Sequence, residues 1–354
     1  MYKPYPLILW LSLVAIIVNI DPLSAQTTED AWALYNKHQF NAAHQAGLNI
    51  LSKEKTSYVA FLIIGRSLVG EGKYTQAMEY LEKVLKAPDA PTYSKAFALN
   101  DLGLCYFYKQ DYIMSKQVLK QSYQLNATKN ATDLASRYQR ILGFDETFST
   151  WITKEIQHFV FHFQDTVSAG HINVFMQRKE NAFNNINTFF GAALPKKIDY
   201  FVWSKPEEAE LFLKKNLAFT QPLLCLTHTT YRHTLGHEMT HSISYYAAPS
   251  DRKNQLISEG VGVYFDQDPK DNMKILKTSI KNPVSIVDIW KNTEKAESKI
   301  VYPLGAELVK RLIGAFGKQK FIEFLANQSY DNAKKVFGSE LTEVISKLQN
   351  ELAN

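Results

Sequence analysis

The chain has 354 residues, 45% of them hydrophobic and 21% charged, with a formal charge of +5 at pH 7. That length carries two ordinary domains with cores of their own, and that balance belongs to folding chains rather than disordered ones. So small a charge, with no Lys/Arg block and no basic stripe interleaved with aromatics, excludes nucleic acid as the expected partner. Two cysteines alone, Cys105 and Cys225, exclude a disulfide framework. Two buried thiols are expected, with one bridge between domains as the alternative.

Lys3 precedes a nearly unbroken apolar run over residues 7–20, and Leu23-Ser24-Ala25-Gln26 forms a small-residue exit. This is the layout of a secretory signal peptide over residues 1–25, cleaved after Ala25, so a secreted or periplasmic protein is expected. A retained membrane anchor is the competing reading. The run falls short of the roughly 20 residues a spanning helix needs, so no stable membrane insertion is expected after cleavage.

Residues 27–143 read as a helical array. Ala31, Leu34, Phe40 and Ala43 are matched 34 residues later by Gly65, Leu68, Tyr74 and Ala77. Gly103, Tyr106, Tyr112 and Ser115 form a third copy after a small insertion over 88–93. Small residues at fixed points let paired helices approach, and the pattern resembles tetratricopeptide repeats. An unrelated bundle is the alternative. The resemblance implies a concave surface that takes a peptide or a partner protein. Residues 133–140 read as a capping helix and 143–150 as a linker.

From Trp151 the pattern changes. Residues 155–163 alternate, with Phe159, Phe161 and Phe163 on one face and His158, Val160 and His162 on the other, which predicts one strand. Within a strand His158 and His162 lie about 13 Å apart and cannot share an ion. A helix is predicted over 174–190, a strand over 197–203, a helix from Pro206, and a third strand over 223–227. A helix over 230–246 follows, with Leu235, Met239, Ile243 and Tyr246 facing a core. After a polar loop over 249–254, a helix opens at Ser258-Glu259-Gly260-Val261-Gly262. Further helices are predicted over 272–280, 284–290, 302–316, 320–328 and 341–352.

The helix over 230–246 holds His237-Glu238-Met239-Thr240-His241. Four residues apart on a helix, His237 and His241 project from one face and suit a tetrahedral zinc ion, with Glu238 beside them to handle the proton of a water. Glu259 supplies a third ligand. Its alternative role is a helix-start glutamate favoured by the dipole, though the glycines beside it argue for close helix approach. His237-Glu238-x-x-His241 with Ser258-Glu259-Gly260 and Tyr264 resembles the gluzincin zinc metallopeptidases, and Tyr302-Pro-Leu-Gly305-Ala-Glu-Leu308 is similar to a stretch of their aminopeptidase-like branch.

The resemblance implies an α+β protein in which the array precedes, over 151–354, a thermolysin/gluzincin-like domain with a small sheet, a zinc helix and a mainly helical part. It implies one Zn2+ per chain on His237, His241 and Glu259, Glu238 as general base, Tyr302 as oxyanion donor, and a strand over 223–227 that edges the cleft and pairs with an extended peptide or protein substrate. A buried central strand is the alternative for 223–227, and a core tyrosine the alternative for Tyr302. His228 and His233 are spare donors. The branch's Gly-x-Met-Glu-Asn motif is missing, and Glu207, Glu208 and Glu210 lie in an ordinary helix, so an endopeptidase is expected rather than an aminopeptidase. The reading from a different class is a non-catalytic binding or assembly protein built on a peptidase-like scaffold.

Overall fold

The computed structural model describes residues 27–165, 172–250, 252–268, 270–281 and 284–353. The signal segment read over 1–25 lies outside them. Seven helices come first: α1 (Thr28–Asn36), α2 (Phe40–Lys53), α3 (Tyr58–Gly70), α4 (Tyr74–Lys86), α5 (Thr92–Tyr108), α6 (Tyr112–Leu125) and α7 (Lys129–Ile141). Three of the turns between them are built alike. His38, Gly72 and Gln110 each take positive φ two residues before an aromatic that opens the next helix. In each turn the following amide closes back on the preceding helix: Gln39 N–H on Leu34, Lys73 on Leu68 and Asp111 on Tyr106, at 3.0, 2.8 and 2.9 Å. The shared left-handed cap is the backbone counterpart of the sequence repeat.

The chain divides into two compact units, Met1–Cys105 and Tyr106–Asn354. In the first, α1 packs on α2, α2 on α3 and α3 on α4. Of the positions that repeat in sequence, Ala31, Leu34, Ala43, Leu68, Tyr74 and Ala77 are buried, and Phe40 is half-buried. Helices α6 and α7, read above within the array over 27–143, fold with the second unit. The Tyr112 hydroxyl donates to the buried Asp199 carboxylate at 3.2 Å, and the Ile141 carbonyl accepts from a sheet histidine, His228, at 2.8 Å.

The second unit continues with β1 (Ile152–Glu155), β2 (Phe159–Phe163), α8 (Ile172–Phe190), β3 (Ile198–Trp203), α9 (Pro206–Leu213), β4 (Phe219–Gln221) and β5 (Leu226–Thr230). The sheet order is β1-β2-β3-β5-β4, with β2, β3 and β5 parallel and the two edge strands antiparallel. Phe159, Phe161 and Phe163 share one face and are fully buried, each contributing about 1.5–3 kcal/mol. On the opposite face, rings stack from strand to strand in register, His162 on Phe201, Phe201 on His228 and His228 on Phe219, with centroids 4.3, 4.5 and 5.1 Å apart.

Two of the strands differ from the sequence expectation. Residues 155–163 are not one strand: the Ile156 amide closes on the Phe159 carbonyl at 3.0 Å, and the chain turns back as a hairpin. The apolar run 223–227 is not the edge strand. Pro222–Leu224 is a helical turn and Cys225 takes φ 46°, so the strand starts at Leu226 and lies inside the sheet. The edge belongs to the three residues of β4.

The rest of the unit is helical: α10 (His237–Ala247), α11 (Gln255–Tyr264), α12 (Asn272–Ser279), α13 (Ile286–Lys291), α14 (Ser298–Leu325), α15 (Tyr330–Phe337) and α16 (Glu340–Ala353). α10 starts seven residues later than the apolar period suggests, because Thr230 is still paired with Trp203 in the sheet. α11 starts earlier, which puts Glu259 in its second turn. The helices read over 302–316 and 320–328 run together as α14, with a break at Gly317 (φ 79°). No helix among the described residues is long and apolar enough to cross a membrane. Cys105 and Cys225 are both buried thiols.

Candidate metal centre

The first turn of α10 carries His237 and Glu238, and the next turn carries His241. The Nε2 atoms of the two histidines lie 3.2 Å apart. Glu259 of α11 brings its Oε2 to 3.1 Å from His237 Nε2 and 3.7 Å from His241 Nε2. A tetrahedral zinc ion with bonds of about 2.0–2.2 Å needs donors about 3.3–3.6 Å apart. The three edges bracket that range, so the donor set fits such an ion with one position left open. Among the described residues no other group of His, Cys, Asp and Glu converges this way.

Packing fixes the triangle. α11 crosses α14 backbone to backbone: a Cβ on Gly260 would lie 2.4 Å from the Gly305 carbonyl carbon, and one on Gly305 would lie 2.1 Å from the Leu256 oxygen. Gly262 leaves room for the His237 ring, whose Cε1 would be 2.7 Å from an added Cβ. One turn before Gly305, the Tyr302 ring lies parallel to the His237 ring, with centroids 5.9 Å apart and planes 6° apart.

Burial opposes ionisation of Glu259, but hydrogen bonds and charge from His237 and His241 outweigh it and hold the carboxyl well below its usual range. Burial likewise opposes the charge on His237, and Glu259 and Glu238 reverse that and raise it. Burial first, and then the Glu259 carboxylate, push the Tyr302 phenol up, so it stays protonated. Glu238 is buried next to the donors without joining them, its Oε2 2.9 Å from the Thr220 hydroxyl.

The entry to α10 is pinned by two residues that the motif does not contain. Lys179 of α8 donates to the Thr234 and Leu235 carbonyls at 2.8 and 3.3 Å, and Asp266 accepts from the Gly236 amide at 2.7 Å. Burial lowers the Lys179 ammonium to about 7, against the pull of Asp266 and Glu238. Lys179 occupies an apolar slot of α8, at helical spacing with the buried Met176, Phe183 and Ile186. A lysine in such a stripe was the signal that something polar waits in the core. Thr220 lies in a strand too short to show a period.

All five residues singled out by sequence, His237, Glu238, His241, Glu259 and Tyr302, line one cavity of about 820 Å³, bordered by residues 215–220 at the β4 edge. Among the described residues, the other histidines stand apart from the triangle. His228 is fully buried, its Nδ1 accepting from Trp203 and its Nε2–H donating to Ile141, and burial pushes it down to about 3. His233 lies before α10 rather than on it; it lines the cavity while its Nδ1 accepts from Thr230. His158 pairs with Glu180, and His162 with Asp199.

A tetratricopeptide-repeat family model matches residues 58–90, which hold the α3–α4 hairpin. No curated protein matches the chain. The chain is thus a helical repeat-like array followed by a small mixed sheet and a mainly helical part, and the repeat supports a protein-interaction role.

Proposed function

We propose that the chain is an exported zinc-dependent hydrolase that cuts peptide bonds within protein substrates, with the repeat array engaging the substrate or a partner protein. One observation carries this reading: three nitrogen and oxygen donors at tetrahedral spacing share a cavity with a carboxylate, Glu238, that is not one of them. A structural His–Glu cluster has no need of that fourth group. Two imidazoles and one carboxylate suit zinc among the common ions. When bound, zinc supplies Lewis acidity and makes a water acidic enough to lose a proton near neutral pH.

The residues of the chain do the rest. Glu238 accepts the proton of the attacking water and returns it to the leaving amine. Tyr302, kept protonated, donates to the oxygen that gains charge as the carbonyl is attacked. The free edge of β4 offers backbone groups to an extended chain, a mode indifferent to side-chain identity. Glu207, Glu208 and Glu210 belong to α9 rather than to the set lining the cavity.

The family match at 58–90 by itself favours the second reading, a non-catalytic binding protein whose array is the functional part. Metal content and cleavage of an unfolded protein, measured on one preparation, separate the two. The expected result is about one zinc per chain, with cleavage that falls about 10²–10⁴-fold in Glu238→Gln while the zinc is retained. A folded chain that takes up no zinc ends the hydrolase reading and leaves the array.

A further inference from the structure

The sheet register brings two threonines together beside the cavity. Thr220 of β4 stands opposite Thr227 of β5, Thr227 stands beside Tyr200 of β3, and Tyr200 beside Phe161 of β2. Paired residues in neighbouring strands point to the same face. This rung therefore emerges on the side of α8, where Phe175 meets Phe161 and the Lys179 ammonium lies 5.3 Å from the Tyr200 ring centre. At its β4 end the rung meets α10. The Thr220 hydroxyl lies 2.9 Å from Thr227 Oγ1, 2.9 Å from Glu238 Oε2 and 3.0 Å from the Glu238 carbonyl.

Counting protons gives these contacts a direction. A hydroxyl has one proton to give and two lone pairs to receive with, whereas an ionised carboxylate and a carbonyl can only accept. Thr220 therefore donates its one proton to Glu238, shared between Oε2 and the carbonyl oxygen, and accepts from Thr227. Thr227 is fully buried, and among the described residues its hydroxyl has Thr220 as its only hydrogen-bond partner. A buried hydroxyl without a partner is costly, which fixes the same direction from the other end.

We propose that Thr220 is a positioning residue. Its hydroxyl, aimed by Thr227, holds Oε2 of Glu238 and leaves Oε1 as the oxygen presented to the cavity. This rests on the reading of Glu238 as the proton acceptor. A carboxylate free to rotate about its last bond presents either oxygen, or neither, to a water, and small losses of alignment at a reacting group cost about tenfold to a hundredfold in rate.

The test compares Thr220→Val, Thr227→Val and Thr220→Ser with the parent chain. Valine keeps the branched shape and strand preference and removes only the hydroxyl, while serine keeps the hydroxyl. The zinc-loaded chains are assayed for kcat and KM on fluorescein-labelled casein. The metal-free chains are examined by the ¹³C carboxyl resonance of Glu238, identified by its loss in Glu238→Gln. Both valine variants are expected to lower kcat about tenfold to a hundredfold with KM and zinc content unchanged, and to move the resonance. Thr220→Ser is expected to restore both. Parental kcat and an unmoved resonance in the valine variants would overturn the proposal. A parent that loads zinc but cleaves nothing removes the role of Glu238 instead. The resonance then decides the contact alone: moved in both valine variants it stands, unmoved it falls.

Discussion

In the first unit, the tight contacts at Gly65 and Gly47 are made by aliphatic side chains, and that at Gly70 by the Phe40 ring. A Cβ added to Gly65 would lie 2.7 Å from Leu81 Cδ2, and one added to Gly47 would lie 2.7 Å from Ile64 Cγ1. In the second unit, at Gly260, Gly305 and Gly262, they are made by backbone and by a ring of the candidate metal centre. A leucine or isoleucine tip can change rotamer at modest cost, whereas a helix backbone can only retreat as a whole. At Gly65 and Gly47 the array is thus held by contacts that can be exchanged one at a time. The α11–α14 crossing is a fixed spacing, and it sets Glu259 and Tyr302 against His237.

Gly305→Ala tests the fixed side of that contrast and has the largest expected effect. Alanine favours a helix over glycine by about 1 kcal/mol, but here its methyl has no place unless the helices separate. The net expectation is a loss of about 4 kcal/mol or more, with zinc affinity falling because Glu259 moves away from the histidines. Urea unfolding and a zinc titration check this. A variant with parental stability and parental zinc affinity would show that the crossing is not a fixed spacing.

The legible parts of the sequence are those whose spacing is local. His237 and His241 could be paired because four residues on a helix is a distance, and Glu259 because two glycines marked a close helix approach. The array could be read because its small residues and aromatics recur at one offset. What could not be read was decided elsewhere in the chain. The apolar period of Leu235, Met239 and Ile243 suggested a helix from residue 230, but Thr230 is taken by pairing with Trp203 and Gly236 is held by Asp266. The three residues of β4 are too few to show alternation. The run 223–227 is apolar because it is buried, and burial does not reveal whether a strand is interior or at an edge. The hydrogen bond from Thr220 to Glu238 follows from β4 pairing with β5, so nothing near the metal motif announces it.

Acid sharpens the comparison from the side of the sheet. His228 titrates near 6.5 in an unfolded chain, and burial holds it down to about 3 in the fold. Its neutral form is the folded one, so its contribution is complete above about pH 6.5 and shrinks as pH falls toward 3. Over that window the unfolded state binds the extra proton, and stability falls by up to about 1.4 kcal/mol per pH unit. His228→Gln keeps one donor and one acceptor but cannot take the proton, so its stability is expected to fall less steeply between pH 6 and pH 4. Parallel slopes for parent and variant would show that His228 does not carry this dependence. Hydrogen exchange places the loss, with amides of β3 and β5 expected to open on acidification before those of α3 and α4.

Gly65→Ala is the smallest effect and the test of the tolerant side. The added methyl presses on Leu81, which is fully buried in α4 and lies 2.7–2.8 Å away at Cδ2 and Cγ, while the nearest backbone atom, Leu81 N, is at 3.4 Å. Overpacking of this kind costs about 1–3 kcal/mol, and the gain in helix preference returns about 1 kcal/mol. A net loss of about 1 kcal/mol is expected, read as faster hydrogen exchange within α3 and α4. Zinc content and exchange in α11 should stay at parental values, because no group near His237 is touched. A loss as large as that of Gly305→Ala would mean that the repeat helices are also held at a fixed backbone distance, and the contrast between side-chain and backbone contacts would fail.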